Sequence, residues 1–351
     1  MPTSPGRLSP PSAITVESPA RLHLGFIDPN ASLGRSFGSV GLAIDAHSTC
    51  LTVRHAPAAA HHGRIDGRID GRIDGAASVA QRERIEQHLA ALHAAFGAGP
   101  ALDIELHDTP RAHTGLGSGT QLALALGTAF ARVRGLDASS ADIARVLSRG
   151  LRSGIGIHGF DHGGLIVDGG RAAGTLLPPL IARQDFPEAW RVLLIDDTSR
   201  EGLHGDDEKR GLASLAPFPA YLAAHLSHLV LMRILPAVAE RDFAPFADAL
   251  CDLQQTIGEY FAPVQGGVFA SPAVARAIEA VAAEQKAGIG QTSWGPVGFA
   301  FVESAQDAER ALAAARRAAP GASLNYTIAA ARNRGATWRA AAPGQRGADA
   351  A

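Results

Sequence analysis

Apolar residues recur with a strand-like pattern from Ile14 to Ser18, Gly41 to Val53, Leu102 to Leu106 and Gly164 to Val167, and these stretches read as extended. Between them, Ser78 to Phe96 places Ile85, Leu89, Leu92 and Phe96 at helical spacing, and Thr120 to Val133 predicts a second, more apolar helix. Further along, a buried-type strand over Arg191 to Ile195 precedes helices near Ala220 to Glu240, Phe243 to Tyr260, Pro272 to Gln285 and Ala305 to Ala318. Strands are expected near Gly298 to Val302 and Asn325 to Ala329. Strands and helices mix without regular βαβα alternation, so the expected class is α+β and not a doubly wound sheet.

Regular patterning breaks at Gly174 to Pro187, where Leu176-Leu177-Pro178-Pro179-Leu180 and a further proline intervene. This predicts an N-terminal domain over 13–180 and a C-terminal domain over 188–338. Residues 1–12, rich in Pro and Ser without an apolar core, read as a disordered tail and not as a signal peptide. Residues 340–351 read as a second frayed tail. Gly63 to Asp74 is a perfect Gly-Arg-Ile-Asp tandem repeat beside His61-His62. Its period is too short for a solenoid unit, so 61–77 is expected to be an exposed, non-catalytic insertion.

The first chemical signal is His113-Thr114-Gly115-Leu116-Gly117-Ser118-Gly119-Thr120, set between a strand and an apolar helix. Glycines let the backbone approach a ligand closely, and the free N–H groups of a helix start attract phosphate oxygens. The loop lacks both the dinucleotide pattern and the Gly-Lys-Ser/Thr ending of a P-loop. A phosphorylated small molecule is the expected ligand.

Composition narrows this little. The 351 residues are 46% apolar and 19% charged, enough for a sizeable core, and a net charge of −2 gives no reason to expect nucleic acid or an anionic membrane. The most apolar run, near Leu226 to Val238, is broken by Arg233 and Pro236, so no membrane span is expected. Cys50 and Cys251 lack metal-ligand spacing, which predicts free thiols and a cytoplasmic location. His158-Gly159-Phe160-Asp161-His162 suggests a metal site, yet the flanking glycines argue against a helix presenting both histidines, and structural or phosphate-neighbouring histidines are favoured.

Three segments then belong together: Ser18 to Asp28, the glycine loop, and Gly290-Gln291-Thr292-Ser293-Trp294-Gly295-Pro296. In this order they resemble the three motifs of the GHMP superfamily of small-molecule kinases. The resemblance implies a two-domain α+β fold with its active site in the interdomain cleft. Two positions depart from the kinases. Gly119 stands where they carry a second serine, and Ser153-Gly154-Ile155-Gly156 lacks the catalytic carboxylate that several of them place at its last position. Asp161 is the nearby residue that could substitute.

These departures are similar to one branch, the β-ribofuranosylaminobenzene 5'-phosphate synthases. The matching strings are Ser18-Pro19-x-Arg21-Leu22-His23-Leu24 with Asp28 and Arg35, Arg152 to Gly156, Gly163 to Gly170, Gln265-Gly266-Gly267 and Gly290 to Pro296. The resemblance implies condensation of 5-phosphoribosyl 1-pyrophosphate with 4-aminobenzoate or 4-hydroxybenzoate, releasing carbon dioxide and pyrophosphate, early in tetrahydromethanopterin biosynthesis. It also implies a homodimer. No organic cofactor is called for, and Mg²⁺ is compatible as a companion of the pyrophosphate.

Departure of pyrophosphate leaves positive charge at C1 of ribose, which calls for a carboxylate and an anion cradle. Asp28 is the candidate carboxylate, and Gly115, Gly117, Ser118, Gly119 and Thr120 form the candidate cradle. Arg35 could grip pyrophosphate or the benzoate, with Arg21 or Arg152 taking the other anion. Gln291, Ser293 and Trp294 complete the candidate binding set, Trp294 either stacking on the aromatic acid or anchoring the core. His23 is either a ligand contact or a hydrogen-bonded core histidine. An ATP-dependent kinase of the same superfamily, or a binding protein without chemistry, would use the same loop.

Overall fold

The structure, a computed structural model, describes residues 11–56, 72–75 and 77–341. The first half builds a sheet from β1 (Ala13–Asp28), β2 (Arg35–His55), β3 (Ile73–Gly75), β4 (Leu102–Asp108), β5 (Leu165–Asp168), β6 (Arg171–Ala172) and β7 (Leu180–Gln184). With it go the helices α1 (Val79–Phe96), α2 (Ser118–Val133), α3 (Ser140–Val146) and α4 (Ile155–His162). The second half contributes β8 (Arg191–Asp197), α5 (Gly205–Ser214), α6 (Ala220–Leu229), α7 (Leu235–Glu240), α8 (Phe243–Gln265) and α9 (Pro272–Glu284). It ends with β9 (Gly288–Gln291), β10 (Gly298–Val302), α10 (Ala305–Ala318), β11 (Leu324–Ala329) and β12 (Thr337–Ala340). The class is α+β, as expected.

β1 and β2 form a long antiparallel ladder interrupted between Ser18 and Ala20 and between His23 and Gly25. The second irregularity lies beside His23 and re-aims the end of the strand. The main path of the first sheet is β12-β1-β2-β4-β3, while the second sheet runs β11-β8-β10-β9. The largest apolar cluster joins Leu22, Leu24 and Leu42 of the first sheet to Leu226, Phe246, Leu250 and Phe299 of the second half. A common core therefore fixes the cleft between the halves.

Several boundaries differ from the sequence expectation. Ala340 lies in strand and pairs with Ile14, so the C-terminal segment returns to the first sheet instead of ending the second domain at 338. The third Gly-Arg-Ile-Asp copy enters the sheet: Ile73 pairs with Ile104 and Asp74 with Glu105 in parallel register, so the insertion is not wholly a surface loop. The two earlier copies, 63–70, lie outside the described residues, as do 1–10 and 342–351.

Arg233 and Pro236 do not break the apolar run. A π-helical turn over Val230–Ile234 carries the chain from α6 into α7, and Pro236, which has no N–H to donate, follows closely on that irregular turn. Ala220–Glu240 is consequently long and apolar enough to cross a membrane by length and composition. Leu226, Leu229, Val230 and Ile234 instead bury one face in the shared core.

Candidate active site

The three segments singled out by sequence meet in the structure. The Arg21 backbone N–H donates to Leu116 at 3.1 Å, and its guanidinium donates to the Gly115 carbonyl. Thr292 Oγ1 donates to that same carbonyl at 2.7 Å and accepts the His23 N–H at 2.9 Å. Gly115 has φ +81°, and a β-carbon there would lie 2.1 Å from the Thr292 carbonyl oxygen. Only glycine lets the loop and the third motif approach this closely.

Helix α2 begins at Ser118, two residues before the sequence boundary, and Gly117 caps it with φ 81° and no side-chain hydrogen bond. Its leading N–H groups are left for a ligand. They face a cleft of about 550 Å³ lined by Arg21, Gly115, Gly117, Ser118, Gly119, Thr120, Arg152, Ser293 and Trp294, all from the sequence-predicted set.

Two further arginines line this cleft without having been singled out by sequence, Arg84 on α1 and Arg149 before α4. A β-carbon on Gly119 would lie 3.5 Å from Arg84 Nη1 and 3.8 Å from Arg149 Nη1, so both guanidiniums border the start of α2. Arg149 donates at 3.1 Å to Nε2 of buried His88. A guanidinium cannot accept, so the ring is neutral at that nitrogen, and burial together with Arg149 and Arg84 lowers its pKa to about 4.

Burial and the nearby Arg84 also lower the pKa of Arg149. For Arg21, burial lowers it to about 10 against the attraction of Glu208. Among the described residues, Arg21, Arg84 and Arg149 have no carboxylate within salt-bridge distance, whereas Arg152 is paired with Glu208. Partly desolvated like charges without partners are costly, and a polyanion in the cleft would relieve that cost.

The structure separates the other predicted residues from this cradle. Asp28 does not line the cleft; its carboxylate caps the β1–β2 turn, accepting from Ser32 N at 2.8 Å, Ser32 Oγ at 2.7 Å and Asn30 N at 3.2 Å. Exposed Arg35 donates to the carbonyls of Gly169 at 2.7 Å and Gly170 at 2.9 Å, which fastens the turn to the β5–β6 connection. The carboxylate that lines the cleft is Glu208, on a polar helix that sequence periodicity missed.

Trp294 joins the two sides. Its Nε1 donates to Glu208 at 2.9 Å, and its ring lies 4.6 Å from Phe261. It also borders a second, tighter space of about 30 Å³ that adjoins the cleft. His23, Phe26, Phe261 and Gln291 line this slot, which shares His23, Phe26, Ser293 and Trp294 with the cleft. Burial, reinforced by Arg21, lowers the pKa of His23 to about 3, so the ring is neutral.

The glycines around His158 did not prevent a helix. His158 and His162 both lie on α4, four residues apart, but His158 Nε2 pairs with the Pro178 carbonyl at 3.0 Å. No group of three His, Cys, Asp or Glu that could hold a metal occurs among the described residues. Exposed Asp161 accepts from Ser140 at 2.6 Å and does not line the cleft. At Gly156 a β-carbon would lie 3.0 Å from the Thr120 methyl, so that position packs under the loop.

Residues 83–166 match the GHMP kinases N terminal domain, and residues 234–321 match the GHMP kinases C terminal family. A β-ribofuranosylphenol 5'-phosphate synthase of Archaeoglobus fulgidus is 36% identical over 254 residues, covering 69% of this chain and 75% of that one. The chain belongs to the β-ribofuranosylphenol 5'-phosphate synthase family.

A second member of this synthase family, from Methanothermobacter thermautotrophicus, is 28% identical over 339 residues, 92% of this chain and 98% of its own. Among solved structures, homoserine kinase from Cytophaga hutchinsonii superposes with a TM-score of 0.66 at 14% identity, covering 96% of this chain and 100% of that one. The mevalonate diphosphate decarboxylase from Enterococcus faecalis gives 0.64 at 17% identity, with 94% and 99% covered. These two likenesses show the GHMP fold, while family membership rests on the synthase sequences.

Proposed function

We propose that the protein condenses 5-phosphoribosyl 1-pyrophosphate with 4-hydroxybenzoate or 4-aminobenzoate, forming a C-riboside 5'-phosphate and releasing carbon dioxide and pyrophosphate. The observation that carries this reading is the convergence of Arg21, Arg84 and Arg149, none with a carboxylate partner among the described residues, on the uncapped start of α2. That arrangement suits a diphosphate leaving group better than an uncharged alcohol.

In the proposed step the bond from ribose C1 to pyrophosphate oxygen breaks, and its electron pair leaves with the pyrophosphate. Positive charge develops at C1. Glu208, half-buried at the cleft wall, is placed to stabilise that charge once phosphate draws Arg152 away from it. The benzoate ring carbon that bears the carboxylate then forms the new carbon–carbon bond, assisted by the para donor. Loss of carbon dioxide returns its electron pair to the ring.

Asp28 and Arg35 act, in this reading, through the β1–β2 turn, because their polar groups are engaged there. An Mg²⁺ ion would enter with the pyrophosphate, held mainly by phosphate oxygens with Ser118, Thr120 or Glu208 as the protein oxygens at hand. The same reading has the protein work as a cytoplasmic homodimer early in tetrahydromethanopterin biosynthesis, with small molecules as its partners.

The test is incubation with 5-phosphoribosyl 1-pyrophosphate and carboxyl-labelled 4-hydroxybenzoate or 4-aminobenzoate, without ATP. Equal release of labelled carbon dioxide and pyrophosphate is expected. ATP-dependent phosphorylation of a small alcohol, with no carbon dioxide formed, would instead make the protein a kinase.

A further inference from the structure

Resting on the proposed condensation, we infer that His23 reads the para substituent of the aromatic acid by accepting a hydrogen bond from its hydroxyl or amino group at Nε2. His23 lines the tight slot that adjoins the cleft. Its polar lining includes Gln254, Gln265 and Gln291, and each amide is already engaged at both ends. Gln291 Oε1 accepts from Ala270 N at 2.7 Å, and its Nε2 donates to Gln265 and to the Ser293 carbonyl, both at 3.2 Å. Gln254 Oε1 accepts the Gln291 N–H at 2.8 Å while its amide donates to the Leu24 carbonyl. Gln265 donates to the Gly267 and Val268 carbonyls, each at 2.9 Å.

His23 differs. It is 4% exposed, and among the slot-lining residues it alone keeps a buried side-chain polar atom, Nε2, without a partner. Burial keeps the ring neutral, so one of its two nitrogens carries no proton, and a neutral imidazole with its unpartnered Nε2 unprotonated is an acceptor. A buried acceptor without a donor is uncommon enough in folded proteins to call for an explanation.

Size and surroundings select the donor. The slot, about 30 Å³, has room for a small polar group such as a hydroxyl or amino group. Phe26 meets the imidazole edge-on at 4.5 Å and, like Trp294, borders both slot and cleft. A ring lying along these two aromatics would put its para group in the slot and its carboxylate toward the cradle.

The chemistry follows from that pose. When the ring carbon attacks ribose C1, positive charge spreads to the para oxygen or nitrogen and its O–H or N–H becomes strongly acidic. Nε2 shares that proton during the addition, and the proton returns as the carbon–carboxylate bond breaks and its electron pair restores the ring. No external acid, base or oxidant is consumed.

The experiment compares wild-type protein with His23→Leu and His23→Gln, whose side-chain oxygen restores an uncharged acceptor. Binding of 4-hydroxybenzoate, 4-methoxybenzoate and unsubstituted benzoate is measured with 5-phosphoribosyl 1-pyrophosphate present, beside turnover. Wild type should prefer 4-hydroxybenzoate over both analogues by about tenfold or more, the scale set by losing one buried hydrogen bond. In His23→Leu this preference should fall to near one while the affinity for 5-phosphoribosyl 1-pyrophosphate stays within about threefold, and His23→Gln should recover part of it.

A wild type that binds the hydroxy and methoxy compounds equally would overturn the inference, whether or not the variants fold. So would a folded His23→Leu that keeps the preference. Absence of carbon dioxide release by wild type would overturn the proposed reaction, while the binding ratios would still decide the role of His23.

Discussion

A β-carbon on Gly119 would lie 3.5 Å from the Arg84 guanidinium, an ordinary contact at a backbone position without positive φ. The hydroxyl that the kinases carry there can thus be restored without strain. Gly119→Ser should fold with stability changed by no more than about 0.5 kcal/mol and should not phosphorylate small alcohols, since Gly156 still supplies no carboxylate. Thermal melts and an ATP turnover assay check both halves; a kinase rate appearing with this one change would refute the division of roles.

Arg149 should matter far more for binding than for the stability of the free protein. Arg149→Leu should weaken 5-phosphoribosyl 1-pyrophosphate binding by roughly 10- to 100-fold, the value of a charge-assisted hydrogen bond. The ligand-free variant should change much less, because relief of the repulsion from Arg84 offsets the hydrogen bond that buried His88 loses. Calorimetric binding and melting temperatures with and without ligand separate these effects.

Both neutral histidines lower stability in acid. His23 and His88 have folded pKa values of about 3 and 4 against 6.5 unfolded, so below pH 6.5 the unfolded chain holds more protons than the folded one. Stability should fall as pH drops from about 6.5 toward 4, by up to about 1.4 kcal/mol per pH unit for each proton difference. Denaturant midpoints across that range should flatten in His88→Asn; an unchanged slope would remove His88 from the account.

Glu208→Gln and Asp28→Asn should divide chemistry from architecture. The first should slow turnover on the order of 10²-fold with little change in 5-phosphoribosyl 1-pyrophosphate affinity, the second should act through a loosened turn. Single-turnover kinetics beside hydrogen exchange at Ser32 and Gly34 would tell them apart. Normal exchange with a collapsed single-turnover rate in Asp28→Asn would return the electrostatic role to Asp28.

Much of this was legible in the sequence because the signals were local. The strand–glycine loop–helix order matches the position of Gly115 to Thr120 between β4 and the first turn of α2, and period-3.6 patterning found α1, α9 and α10. What escaped depended on distance in sequence. Arg84 and Arg149 belong to no motif and acquire meaning only where α1 passes the start of α2. Helix α5, which carries Glu208, buries none of its residues and so has no apolar stripe to detect. In α4 the glycines misled, because its burial under the sheet outweighs their low helix propensity. Asp28 and Arg35 belong to a matching string, yet a string cannot distinguish a residue that touches substrate from one that shapes the loop beside it.

The return of β12 to β1 gives the chain a clasp. Ile14 sits opposite Ala340, and Arg332 on the same returning segment reaches Glu17 at 2.6 Å. The two ends of the described chain are thus neighbours at one side of the sheet, which suits a linker joining them and new termini opened elsewhere, a circular permutation. Cutting the gene near residue 187 would have the opposite result: the first fragment would be left with an open strand edge, and the second would carry an orphan strand with nothing to pair.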